Sequence, residues 1–271
     1  SSVDAAEADT AAYNTKSVGA GMFFGIPLSE DRRLNIGGDV ERIRIETHST
    51  TAQIAQEFVA RHGFENTLYK LTVGWSDDTL DNLLAPRTGS LQRLSGEITL
   101  PGSDIEYYKI NYLAGRYWAL SESVSVKLKG ELGYGDGLGD TGELPFYKNF
   151  FAGGSGTVRG YESRSLGPRD ALPPNDPTGG NRRVLLNTEL LFPVPGAKVD
   201  KSTRFALFID GGMVYGPGEK LDLGELRYAA GLAFNWYSPV GPLSFSLAKP
   251  LNDKPGDQTE SFQFTLGVPL R

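Results

Sequence analysis

Between Val124 and Tyr134 every even position is apolar or glycine, and every odd position is polar, charged or glycine. Period two sustained over such a stretch predicts a strand with one greasy face and one wet face. The pattern returns at Leu226, Tyr228, Ala230, Leu232, Phe234 and Trp236, where the intervening Arg227, Ala229, Gly231, Ala233 and Asn235 are small or polar. Further alternating stretches run over 13–28, 32–48, 64–76, 88–101, 104–118, 182–193, 203–215, 242–250 and 259–268. Together they predict about eleven strands, most of roughly 9 to 15 residues, joined as an antiparallel meander. Tight turns are marked at Pro101-Gly102-Ser103-Asp104 and Ser238-Pro239-Val240-Gly241-Pro242.

Strands of soluble proteins typically have about five or six residues, whereas a tilted strand needs about 9 to 11 to cross a bilayer. Length therefore favours an all-β, antiparallel transmembrane β-barrel over a large soluble sandwich, which the alternation alone would also fit. No apolar run approaches the roughly 18 residues of a membrane helix; the strongest, Phe205 to Ile209, stops at Asp210. A mean hydropathy of −0.29 does not count against a barrel, because lipid-facing and lumen-facing positions average out. Aromatic residues near strand ends, Tyr107, Tyr108, Tyr117, Trp118, Tyr134, Tyr215, Trp236 and Tyr237, are candidates for interfacial girdles.

The 271 residues carry a net charge of −6 and no cysteine. The charge and the lack of a basic cluster argue against a nucleic-acid surface, and the missing cysteines exclude disulfides, thiolate chemistry and Cys-ligated zinc. Residues 1–12 read as a polar loop remnant without the charged start and apolar stretch of a signal peptide. The chain is therefore expected to begin inside something longer, or after processing. In Thr51 to His62, Ile54, Phe58 and Val59 fall at helical spacing and predict a short helix in an outer loop. His48 and His62 flank it without further ligands at metal spacing, so they read as loop histidines.

Residues 136–181 form a connection too long for a simple turn, and such loops are usually functional or disordered. Its opening, Leu144 to Tyr161, is rich in aromatics and glycine. Disordered segments are poor in aromatics, so packing is expected. Enzymatic readings fail on spacing. Gly154-Ser155-Gly156 is followed by Gly160, one residue late for a dinucleotide fingerprint, and no Gly-Lys-Ser/Thr supports a phosphate loop. Thr157 stands where a nucleophile elbow needs its final glycine. No enzyme activity and no cofactor are expected.

The run Phe146 to Pro168, FYKNFFAGGSGTVRGYESRSLGP, resembles the inward-folded loop of the BamA family of outer-membrane protein assembly factors. Ile98 to Lys109, Asn187 to Pro193, Phe208 to Tyr215 and Ser238 to Leu243 resemble strands and turns of the same family. The resemblance covers nearly the whole chain. It implies a bacterial outer-membrane insertase that folds other outer-membrane proteins, with the bilayer, unfolded clients and accessory BAM lipoproteins as partners. It implies that Val158, Arg159, Gly160 and Tyr161 form a loop tip in the lumen, with Arg159 held by Glu189 and Asp210. Alternation agrees independently: the apolar sets Val184, Leu186, Leu190, Phe192 and Phe205, Leu207, Ile209 put both acids on the opposite face. A guanidinium fork between two carboxylates can hold a loop with no charge unpaired.

The resemblance also makes the last strand, with Phe262, Phe264 and Gly267, one side of a seam at which client strands add, Gly267 being the point of bending. Family barrels have sixteen strands, so the first strands are expected to be missing from these eleven. The end, Val268-Pro269-Leu270-Arg271, departs from the family's usual aromatic terminus, and Pro269 donates no ladder bond. Two readings compete with the insertase. One is a TamA-like translocation and assembly factor, which shares the loop signature. The other is a passive channel constricted by the long loop.

Overall fold

The computed structural model describes residues 2–3, 13–47, 52–82, 85–171, 173, 175–194, 202–238 and 241–267. A two-residue first strand, ten strands of 10 to 16 residues and a shorter last one form a single twelve-stranded antiparallel sheet whose successive strands are spatial neighbours. In chain order the elements are β1 (Ser2–Val3), β2 (Tyr13–Pro27), β3 (Arg32–Thr47), α1 (Gln53–His62), β4 (Glu65–Asp78), β5 (Gly89–Thr99), β6 (Tyr107–Ala119) and β7 (Ser125–Gly137). The second half contains β8 (Gly160–Tyr161), β9 (Arg182–Phe192), β10 (Thr203–Tyr215), β11 (Arg227–Ser238), β12 (Gly241–Pro250), β13 (Thr259–Glu260) and β14 (Phe262–Leu266). Two-residue β1 pairs with Thr15 and Lys16 of β2, where a loop remnant was expected; the rest of residues 1–12 lies outside the described residues. Among the described residues the sheet is not closed: its order runs from β1 to β14, and neither β1 nor β2 pairs with β14.

The alternation sorts side chains in the sense opposite to a soluble protein. On β10, Leu207 and Ile209 are 50% and 55% exposed on the convex face, while Asp210 is fully buried on the concave one. Leu128 and Leu132 of β7 face outward, and Ser125 and Lys127 inward. A soluble sandwich would bury the leucines and hydrate the charges; a lipid-facing wall around a polar lumen does the reverse. The outer face also carries a ladder of five phenylalanines in register: Phe192, Phe205, Phe234, Phe245 and Phe264. Successive ring centroids lie 5.9, 5.4, 6.3 and 4.8 Å apart.

Several expectations change. Tyr107 and Tyr117 are buried in the lumen, whereas Trp118, Tyr134 and Trp236 point outward; Tyr215 is buried at the end of β10, where its hydroxyl donates to the Asp222 carbonyl of the β10–β11 connection. Proximity to a strand end did not fix the side, and period two did. The strand expected over 259–268 breaks at Ser261: Thr259 and Glu260 pair with Tyr161 and Gly160 of the long loop, and only β14 joins the main sheet. The Pro101 turn lies at the same end as the long loop and the β11–β12 connection at the opposite end, so tight turns occur at both. Residues 239–240, His48 and residues 268–271 lie outside the described residues.

The helix forms over Gln53–His62 and is docked against the sheet and loop. Phe58 is buried with Ile43, Ile45, Leu68 and Ile105, and its ring meets Phe146 and Tyr147 edge-on at 5.3 and 5.7 Å. Asp170 of the long loop accepts the backbone N–H of Gln53 at 2.5 Å, supplying the N-terminal acceptor that Ala52 lacks.

Candidate functional site in the lumen

Residues 138–181 leave β7 and fold back inside the concave face before β9. The segment is ordered by bridges between Phe150 and Gly180, Ala152 and Leu166, and Arg169 and Pro177. Its tip spans the walls built by the last strands. Val158 is fully buried with Leu185, Val214 and Ala229. Gly160 has φ +90°, and a Cβ there would sit 3.1 Å from Ala248 Cβ and 3.2 Å from Ala229 Cβ. Both the positive φ and the close approach favour glycine. The Tyr161 carbonyl accepts Gln263 Nε2 of β14 at 2.7 Å.

Arg159 enters the charged centre of the site. Its Nε donates to Asp210 Oδ2 at 2.6 Å and its Nη2 to Asp210 Oδ1 at 2.8 Å, while its backbone N–H reaches Oδ2 at 3.1 Å. Asn187 Nδ2 completes the set on Oδ1 at 2.9 Å and also donates to the Thr157 carbonyl at 2.7 Å. Asp210 thus accepts four hydrogen bonds with no exposure to solvent. Arg159 Nη2 also lies 2.8 Å from Glu189 Oε1, whose other oxygen faces Lys127 Nζ at 3.4 Å. Two cations and two anions share the cluster, so its formal charge cancels. The guanidinium stacks over Phe208 at 3.5 Å. Burial opposes its charge, but Asp210 and Glu189 more than compensate and hold its pKa above the ordinary value.

Lys127, Asn187, Phe208 and Gln263 are partners that sequence reasoning did not single out. Lys127 was legible as a wet-face residue of β7, but its pairing with Glu189 follows only from the β7–β9 register, which sets the two opposite each other. Beneath the cluster, Arg204 donates to the Pro86 and Ala85 carbonyls at 3.0 and 2.6 Å. The β4–β5 connection therefore reaches the β10 wall at the end opposite the long loop.

On β14, Phe262 and Phe264 are 54% and 50% exposed on the outer face, while Gln263 is buried inward. Gly267 follows the strand with φ +78° and donates to the Pro242 carbonyl at 2.8 Å.

A lipid-facing antiparallel sheet enclosing an inward-folded loop defines a transmembrane β-barrel protein. A family model described as the Omp85 superfamily domain matches residues 1–268, and the chain belongs to that superfamily. It is 37% identical to the outer membrane protein assembly factor BamA of Neisseria meningitidis over 94% of this chain and 36% of the relative. It is 27% identical to BamA of Nitratidesulfovibrio vulgaris over 94% of this chain and 32% of that protein. The crystal structure of Haemophilus ducreyi BamA lacking POTRA domains 1–3 superimposes with a TM-score of 0.84 at 29% identity, covering 93% of this chain and 54% of that one. The chain spans about a third of the length of these curated relatives. Its location is the bacterial outer membrane.

Proposed function

We propose that this chain supplies barrel strands to an outer-membrane protein assembly factor, which catalyses the folding and insertion of other β-barrels without covalent chemistry. The observation that carries the proposal is the likeness to BamA along almost the whole chain, loop included. Unfolded outer-membrane proteins are its clients, and accessory lipoproteins are its partners. The Val158–Tyr161 tip acts as a lock, Arg159 being its bolt and Asp210 and Glu189 its keepers. The tip touches β9 to β12 and β14, so docking the loop fixes the last strands relative to one another.

The last strand forms one side of the working seam. Its five residues are short for a membrane strand and end next to a glycine at positive φ, a weakly held edge onto which a client strand can add by main-chain hydrogen bonding. Depleting the full-length protein from cells and supplying it on a plasmid tests the function. Folded, heat-modifiable porin should fall on depletion and recover on complementation. Unchanged porin on depletion, with large steady conductance from the purified protein, would refute assembly in favour of a passive channel.

A further inference from the structure

The lock occupies only one end of the loop's passage through the lumen. Eleven residues before Arg159 (159 − 148), Lys148 meets the opposite wall, with Nζ 2.9 Å from Glu97 Oε1 on β5. Its own carbonyl accepts Lys109 Nζ of β6 at 2.5 Å. Tyr107 donates its hydroxyl to the same Glu97 oxygen, and the Lys148 ammonium lies 5.5 Å from the Tyr107 ring centroid. Nearby on β4, Lys70 is bound to Asp39 and Glu41 of β3 at 3.1 and 2.6 Å. Charges thus alternate across β3, β4 and β5 towards the loop.

The residues after Lys148 continue the attachment. The Phe150 ring has Lys109 at 4.1 Å and Arg183 at 5.2 Å, and Arg183 donates to the Phe151 carbonyl at 3.1 Å. The loop therefore meets the β5–β6 wall at its root and the β9–β14 walls at its tip, and it braces the lumen between them.

We propose that Lys148 and Glu97 form a second ionic anchor, a positioning pair that sets the root of the loop so that the Arg159 tip reaches its keepers. The proposal rests on the assembly function given above. It also separates the two anchors by environment. The Lys148 and Glu97 side chains are 20% and 25% exposed, against 9% and 0% for Arg159 and Asp210. Salt screens partly exposed pairs more than buried ones, so raised ionic strength should loosen the root before the tip.

The test uses the full-length protein in liposomes carrying K148E, E97K, the K148E/E97K swap or the conservative K148R. Spin labels at Glu122→Cys and Glu143→Cys are accessible, since both positions are exposed; these 271 residues contain no cysteine, and any elsewhere in the full-length protein is changed to serine. Wild type should give a narrow distance distribution that broadens with salt, and K148E and E97K should broaden it without salt. Client assembly in the two single variants should fall about fivefold to tenfold, in the range of coupled contact pairs. The swap and K148R should restore both readouts, with heat-modifiable mobility confirming that every variant is folded.

Single variants within twofold of wild type in either readout, or a folded swap that restores neither, would overturn the anchor. If wild type itself fails to accelerate assembly, the assembly function falls instead, and the distance distributions alone decide whether the anchor exists.

Discussion

Replacing Arg159 with alanine strips Asp210 of two charged hydrogen bonds and leaves it the backbone N–H of residue 159 and the Asn187 amide. Among the described residues, Glu189 keeps Lys127 at 3.4 Å as its ionic partner. Removing one member of a buried ion pair costs about 3–5 kcal/mol, because the other is left uncompensated. The retained neutral donors place the expected cost near the lower end. At about 3 kcal/mol the docked-to-undocked ratio of the tip falls roughly a hundredfold. Asp210→Ala should cost less, since Arg159 still reaches Glu189 at 2.8 Å and stacks on Phe208. The double variant should therefore fall short of the sum of the singles by about 1.5–2 kcal/mol. Hydrogen exchange at the amides of residues 157–161 in the full-length protein measures local docking free energy directly. Additivity within about 0.5 kcal/mol would refute the coupling.

Gly160→Ala should cost about 1–3 kcal/mol, from positive φ and the approach to Ala229 and Ala248, read as a lower melting temperature in detergent. Leu207→Arg, on the outer face, should cost about 2–4 kcal/mol if that face meets the bilayer core; folding yield into liposomes under urea titration checks it, and a neutral result would contradict a lipid-facing β10. Burial, with a smaller contribution from neighbouring Arg61, lowers the pKa of His62 below 6.5. The neutral imidazole is thus the form that docks: its contribution is complete above the unfolded pKa and is lost as pH falls through the lower folded value. Exchange of the α1 amides should accelerate relative to intrinsic rates on acidification below pH 6.5, and His62→Asn should remove that acceleration.

The eleven-strand meander was legible because its signal is local. Each strand carries its own period-two pattern, and that pattern states which side Leu207 and Asp210 occupy without any partner. Closeness to a strand end is a weaker cue, and it misassigned Tyr107 and Tyr117 to the membrane interface although they are buried in the lumen. The break at Ser261 was hidden because Thr259 and Glu260 alternate acceptably with the residues of β14; their pairing with the loop is a contact about a hundred residues distant in sequence. The electrostatic cluster divides in the same way. Parity and family resemblance pointed to Arg159, Glu189 and Asp210, whereas Lys127, Asn187 and Lys148 needed strand register and the path of the loop. The docking of α1 was equally non-local, since its N-terminal acceptor, Asp170, comes from the long loop.

Acceleration of client insertion, and its dependence on the proposed loop lock, are tested together in one reconstitution. Full-length protein, wild type or Arg159→Ala, can be reconstituted in liposomes with a purified, urea-unfolded client barrel, and folding followed by the heat-modifiable shift of the client. Wild type should fold the client many times faster than empty liposomes, with the variant close to the empty control. Equal folding rates with and without wild-type protein would contradict the account.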